Sequence, residues 1–389
     1  MFTDTYLPTR DGVVSSILTT TGWLKRMGHE VIIFAPEPAD EREMERGVYY
    51  FRSVEFKKYT DYRIPLFPTN KCEILKKLDV DVLHSQGLMF MALRSMFAGR
   101  TLKKPVVLSF HTMVTDALRY YADLPLPLWM MEKLLWTYLR QLLERADVVI
   151  VPTRSVGEEL RRRAPGMSRI EVIPTGVDCE RFGPHVDGSG VREKYGLNGK
   201  RVILHVGRIA WEKNIELVLE SLAILRQRAD DLMLLIAGKG PAEEHLRRRA
   251  AELGVEKEVI FTGFVPDEDL PSYYAACDAF VLASKFETQG LVVLEAMATG
   301  KPVACIDYRA TAEIVEDGVD GFLFSDGPES CAEAIAKALE SPEELGRSAR
   351  RKAERYSVRE GVERLIDLYE YAIESKKRAM MPSGHRGEP

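Results

Sequence analysis

The sequence predicts an α/β protein of two Rossmann-like doubly wound domains facing a cleft. Three observations predict it. Short β-branched runs alternate with helical patterns along the chain. That alternation stops and restarts midway. The length of 389 residues exceeds what one ordinary core accommodates.

The first strand series comprises HEVIIFAP (29–36), DVDVLHSQG (79–87), KPVVLSFHT (104–112), ADVVIVPT (146–153) and IEVIPTGVD (170–178). Each run is bounded by turn or capping residues, and helical stretches separate most of them, the signature of a mostly parallel sheet. The second series comprises RVILHVGRI (201–209), LMLLIAGKG (232–240), KEVIFTGFV (257–265), CDAFVLAS (277–284) and KPVACID (301–307). Between the series lies the polar, Gly-containing FGPHVDGSG (182–190), with a hinge expected near Thr175 to Val177. The expected domains are 1–176 and 177–357, with a helix over 358–377 returning to the first domain and a flexible tail over 378–389. At the start only Met1 and Phe2 precede the turn TDTYLP, so the first strand is expected to be very short, or the chain to be clipped or started late.

Composition narrows the function classes. A net charge of -5 gives no global attraction to nucleic acid or anionic lipid, so any basic surface is local. The five cysteines, Cys72, Cys179, Cys277, Cys305 and Cys331, are scattered without a C-x-x-C pair, which fits reduced thiols rather than a disulfide framework or zinc site. No apolar run approaches a membrane span, and the first residues lack the basic stretch and apolar core of a signal peptide. A cytoplasmic protein is expected, with the inner face of the cell membrane as the alternative station.

The segment FETQGLVVLEAMATGKPV (286–303) places Glu287 and Glu295 eight positions apart around Gly290. A strand runs into a loop and then into a helix that ends at Gly300. Glu287 therefore sits at a strand tip, and Gly290 and Leu291 at a helix N-terminus, whose free N–H groups and dipole favour an anion such as a diphosphate. Glu295, about one turn in, is placed to accept hydrogen bonds from a ribose. Two acids at this spacing also arise by chance, as a solvated loop acid and a helix-face charge. VGRIAWEKN (206–214) changes that balance: Arg208 ends a strand and Lys213 follows a short loop, a cation pair suited to the charge of a departing diphosphate. Gly207 beside them permits close ligand approach. In the first domain, YLPTRDGVV (6–14) offers Gly12 for the same purpose, and SFHTMVTD (109–116) places His111 at a strand tip, within reach of sugar hydroxyls. A lone Gly is otherwise a turn, and a lone His is more often structural.

With these segments assembled, the chain resembles the retaining glycosyltransferases of family four, the two-Rossmann-domain GT-B type, over nearly its whole length. FETQGLVVLEAMATGKPV is similar to the family's E-x7-E motif, GRIAWEKN to its Arg and Lys pair, GFVP (263–266) to its base-contacting turn and IPTGVD (173–178) to its interdomain stretch. The resemblance implies that Glu287 binds donor-sugar hydroxyls and Glu295 the nucleotide ribose. It implies that Arg208 and Lys213, with the N–H groups of Gly290 and Leu291, stabilise the leaving diphosphate. Val265 would contact the base through its backbone, and His111 the transferred sugar. Many relatives carry Gly-Gly in the first loop where this chain has Asp11-Gly12; Gly12 is kept as the ligand contact and Asp11 as a candidate acceptor residue.

These expectations amount to transfer of a hexose from a nucleoside diphosphate to a hydroxyl with retention, UDP-glucose being the first choice of donor and GDP-mannose its competitor. No cofactor and no essential metal is expected: the D-x-D at 79–81 opens a strand and lacks a companion cluster. SFHTMVTDALRYY is similar to diacylglycerol glucosyltransferases, implying a lipid acceptor and peripheral membrane association. The stretch 120–147, with a broad apolar face, Trp136 and cations, and the basic run Arg161 to Arg163 suit a lipid interface, though a broad apolar face is more often core. A soluble saccharide acceptor, a sugar-nucleotide epimerase and a non-catalytic binder remain as alternatives.

Overall fold

The computed structural model describes residues 1–9, 12–40, 42, 44–56, 59–66, 72–113 and 127–381. The chain divides into two compact units, Met1–Pro174 with the chain from Arg359 onward, and Thr175–Val358.

In the first unit, β1 (Ile33–Pro36) and β2 (Val48–Phe51) pair in parallel. β3 (Ser53–Phe56) and β4 (Tyr59–Pro65) form an antiparallel ladder. β5 (Leu83–Ser85), β6 (Val106–Ser109), β7 (Val148–Val151) and β8 (Ile170–Val172) follow in order as a parallel sheet. The short first strand is a single bridging residue: Phe2 pairs with Phe34 in β1 and with Ser85 in β5. Phe2 is buried and stacks on Phe34 at 4.9 Å, so one aromatic supplies the contact area a longer strand would spread over several residues. The β3–β4 ladder departs from the parallel alternation read from the sequence. Its strands carry no unbroken apolar run, because Val54 lies exposed and Arg63 spends its Nε on Ser53 Oγ at 2.8 Å. The helix Val358–Met380 packs on this unit through Lys376, whose Nζ lies 2.8 Å from Asp147 Oδ1, and through Arg364, which donates to Val172 O at 2.5 Å.

The second unit has one six-stranded sheet, ordered β11-β10-β9-β12-β13-β14 and parallel throughout. These strands are β9 (Arg201–Val206), β10 (Leu232–Ala237), β11 (Val259–Gly263), β12 (Ala279–Leu282), β13 (Val303–Ile306) and β14 (Gly321–Phe324). Successive side chains leave opposite faces of a strand, so β9 feeds both cores: Ile203 joins the cluster under the helices Ile215–Arg226 and Pro328–Glu340, while Val202, Leu204 and Val206 join the cluster under Leu291–Ala298. Burial on both faces explains why these strands read as continuous apolar runs. The strand order reverses between β9 and β12, which is where sheets of this kind open a crevice at the carboxyl ends of their strands.

Cys277, Cys305 and Cys331 are buried free thiols, and Cys179 is half-buried and free. At the unit's edge the chain enters and leaves side by side: Val177 N donates to Tyr356 O at 2.8 Å and Val358 N to Val177 O at 3.0 Å. A Cβ on Gly176 would stand 2.3 Å from Val358 Cα. Gly176→Ala must therefore push the two segments apart. A loss of about 1–3 kcal/mol is expected from the urea midpoint of the isolated transition.

Candidate functional site

The site in the second unit is built where the strand order reverses. Gly207, at φ 150°, directly follows β9, and Arg208 follows it exposed. The chain then makes a short 3₁₀ turn, Trp211–Lys213, closed by Asn214 in the left-handed region at φ 52°. β12 ends in Leu282, and the loop beyond it turns on Ser284, whose Oγ accepts from Phe286 N at 3.2 Å. These two loops bring Lys213 Nζ to 2.6 Å from Glu287 Oε1, a pair with 20% and 16% of their side-chain surfaces exposed. Burial alone would raise the Glu287 pKa. The Lys213 charge and hydrogen bond outweigh it, with help from the Ser284 hydroxyl and His205, and hold the carboxyl below its ordinary range. His205 lies beneath in β9, fully buried, its Nδ1 3.3 Å from Val281 O in β12, and burial lowers its pKa to about 4.

Beside this pair three strands end in main chain rather than side chain. A Cβ on Gly238 would stand 1.9 Å from Gly207 O, and one on Gly240 would stand 2.2 Å from Ile209 O. Gly238 N donates to Gly263 O at 3.0 Å. The sequence carries a signal for this crest, the Gly-x-Gly of LIAGKG directly after β10.

Gly290, at φ 82°, is the N-cap of the helix Leu291–Ala298. Its placement depends on Gln289, unnoticed in the sequence although it adjoins Gly290. This buried amide accepts from Thr175 N at 2.7 Å and donates to Thr175 O at 2.6 Å. One turn into the helix, Glu295 Oε2 accepts from Tyr274 Oη at 2.7 Å. Tyr274 is fully buried, with Phe182 edge-on at 5.7 Å. Burial raises the Glu295 pKa to about 7, against the pull of Tyr274 and Arg181 and with a push from Asp267. The ribose acceptor expected from the sequence thus stands half protonated near neutral pH, with one oxygen already engaged. Val265 is partly buried against the same cluster as Tyr274 and Leu291.

The remaining expected residues belong to the first unit. His111 lies just beyond β6, its Nε2 2.6 Å from Gln86 Oε1, and burial lowers its pKa to about 4, so the ring is neutral near pH 7. Gly12 opens the helix Gly12–Arg26 rather than lying in the preceding turn, and a Cβ there would meet nothing within 4 Å. The fold itself therefore does not require glycine at this position. Asp11, part of SFHTMVTDALRYY and the tail beyond 381 lie outside the described residues. The helix Leu128–Leu143 buries Met131, Leu139, Leu142 and Leu143 but leaves Trp129 65% and Leu134 60% exposed. Its Tyr138 hydroxyl donates to Leu88 O at 2.8 Å, next to a second helix, Phe90–Leu102, where Met89, Leu93 and Phe97 form an exposed stripe at helical spacing. Arg163 covers the Trp136 ring at 4.9 Å. Among the described residues no group of His, Cys, Asp and Glu could hold a metal ion, and no helix is long and apolar enough to cross a membrane.

Comparison with known proteins bears on this arrangement. Residues 190–356 match the family described as Glycosyl transferases group 1, and residues 10–181 match Glycosyltransferase Family 4. The chain is 34% identical over 346 residues to the alpha-monoglucosyldiacylglycerol synthase of Streptococcus pneumoniae, spanning 87% of this chain and 77% of that protein. It is 29% identical over 334 residues to a GDP-mannose-dependent alpha-(1-6)-phosphatidylinositol monomannoside mannosyltransferase of Mycolicibacterium smegmatis, spanning 82% and 83%. A crystal structure of Anabaena HepE in complex with UDP and glucose shares the fold, with a TM-score of 0.76 over 95% of this chain and 98% of that one at 19% identity.

The raised pKa of Glu295 fixes the sign of a stability change. The folded protein binds more protons here than the unfolded chain from the carboxyl's ordinary value of 4.5 up to about 7. The stabilisation is therefore full below that window and is lost as pH rises through it. Glu295→Gln, neutral at every pH, should gain on wild type in thermal unfolding between about pH 5 and pH 8. A constant offset between the two proteins would contradict the assignment.

Proposed function

This chain belongs to the family 4 glycosyltransferases, and we propose that it transfers a hexose from a nucleoside diphosphate sugar, with retention, to a hydroxyl of a membrane lipid. The observation that carries this is the Lys213–Glu287 pair at 2.6 Å, set at the carboxyl ends of β9 and β12 where the strand order reverses. A diphosphate entering there competes for the Lys213 ammonium. As it does so it frees the Glu287 carboxyl oxygens to accept from sugar hydroxyls.

The barrier lies in breaking the glycosyl–phosphate bond, with positive charge growing on the sugar and negative charge on the departing diphosphate. Arg208, Lys213 and the N–H groups of Gly290 and Leu291 take the second charge. The departing phosphate oxygen receives the acceptor proton on the same face. Neutral His111 serves as a hydrogen-bonding partner for the transferred sugar, not as a cation. Glu295 takes the ribose and the Val265 main chain the base, with Gly207 and Gly12 leaving room for the phosphates; Asp11 remains the candidate for the acceptor hydroxyl. No metal enters this scheme.

UDP-glucose is the donor of choice, because the pneumococcal relative is named for a glucosyl product and the HepE structure holds UDP and glucose. GDP-mannose is the second choice, because the mycobacterial relative is GDP-mannose-dependent. Both relatives carry a lipid in their names, which favours diacylglycerol or a related lipid over a soluble saccharide. The exposed Phe97, Trp129 and Leu134, with the exposed cations Lys133 and Arg140 on the helix Leu128–Leu143, suit shallow insertion among anionic headgroups at the inner face of the cell membrane.

Incubation with labelled UDP-glucose or GDP-mannose and a membrane lipid extract tests the reaction. A glycolipid product is expected, undiminished by a chelator. Unchanged donor in every combination, or isomerised donor alone, would refute the proposal. Arg208→Ala combined with Lys213→Ala should lower kcat by about 10²- to 10³-fold. Trp129→Ser with Phe97→Ser should reduce co-sedimentation with anionic vesicles at low salt, while the thermal midpoint moves little because both side chains are already exposed.

A further inference from the structure

The helix Leu291–Ala298 begins at a point that its own residues hold weakly. No side chain caps it, and its N-cap is Gly290 at φ 82°, a residue that takes many other conformations as readily. The loop leading to it is tied down at two places. One is Glu287, whose Oε1 lies 2.6 Å from Lys213 Nζ. The other is Gln289, which accepts from Thr175 N at 2.7 Å and donates to Thr175 O at 2.6 Å.

The directions of this second tie are fixed by main chain. A backbone N–H only donates and a backbone carbonyl only accepts, so the Gln289 amide has one orientation. Gln289 is buried, which shields both bonds from exchange with water. The anchor is itself clamped. Val177 N donates to Tyr356 O at 2.8 Å and Val358 N to Val177 O at 3.0 Å, with Gly176 packed flush on Val358 between them. The start of the helix therefore shifts against this edge only if both amide bonds break.

The two ties respond differently to a bound donor. Lys213 is one of the cations proposed to take the diphosphate, so its bond to Glu287 is exchanged on binding. Gln289 carries no charge, and both ends of its amide are engaged by Thr175, so it keeps its partner. We infer that Gln289 is a positioning residue for the departing diphosphate, the tie that keeps the N–H groups of Gly290 and Leu291 in place once the Lys213–Glu287 bond is given up. This rests on the proposed diphosphate site, and the test separates the two.

Binding of UDP and of uridine to the full chain is measured by calorimetry, with GDP and guanosine in parallel. Wild type should prefer the diphosphate to its nucleoside in one pair. Gln289→Leu should lose about tenfold or more of that preference with nucleoside affinity unchanged, and its kcat should fall by about 10- to 100-fold. Gln289→Glu supplies a second readout. The protonated acid has one donor and one acceptor and reproduces the amide, whereas the carboxylate sets an acceptor against Thr175 O. Burial raises the pKa of such a carboxyl, so the kcat of Gln289→Glu relative to wild type should fall as pH rises between about 5 and 8. Taking the ratio removes the titration of Glu295, which both proteins share. A Gln289→Leu protein with the full diphosphate preference overturns the inference, as does a Gln289→Glu ratio that does not change with pH. Wild type without a diphosphate preference in either pair would instead remove the site on which the positioning role depends.

Discussion

The ion pair between Lys213 and Glu287 is the interaction around which the second unit's crevice is organised. Two loops leave neighbouring strands at the point where the strand order reverses and enter the helices Ile215–Arg226 and Leu291–Ala298, and between strand and helix their tips need a tie. A charge-assisted hydrogen bond of 2.6 Å between their tips does that work. It also settles the protonation state: a half-buried carboxyl without a cation would be driven toward the neutral acid, whereas here it is held ionised. The same closeness means that the Lys213 ammonium and the Glu287 carboxylate already neutralise one another at this edge. Binding becomes an exchange of partners rather than a fresh burial of charge.

Much of this was legible in the sequence. Both strand series were readable because strands covered on two faces must be apolar throughout, and the glycine and acid spacing of 286–303 put its acids at the sheet edge. The antiparallel β3–β4 ladder was not, because strands with one exposed face and polar interruptions leave no run to detect. Phe2 was under-read for the opposite reason: a strand reduced to one residue has no period, and its burial is supplied by Phe34 from elsewhere in the chain. In the site, Lys213 and Glu287 were visible singly, but their pairing across 74 residues was not. Tyr274 and Gln289 carried no local signal at all, because their roles arise from what the fold sets opposite them.

The two carboxylates of the motif illustrate how environment rather than residue type sets behaviour. Glu287 and Glu295 share a loop and helix, yet one is held below its ordinary pKa by a cation and the other is lifted to about 7 by burial beside a phenol. Spacing alone assigns both to ligand hydroxyls. The packing of Tyr274 between aromatic neighbours divides them into a permanent anion and a group that loses its proton only near neutrality.

Gly207, Gly238 and Gly240 pack backbone on backbone, so one wall of the crevice consists of peptide groups. Such a wall leaves little for single-codon change to act on: a side chain on Gly238 or Gly240 collides with a neighbouring carbonyl before it can alter selectivity, and Gly207 stands at φ 150°. Diversification of this surface must proceed by insertion, deletion or rerouting of loops. Homologues that differ in ligand preference should accordingly diverge in loop length around these glycines.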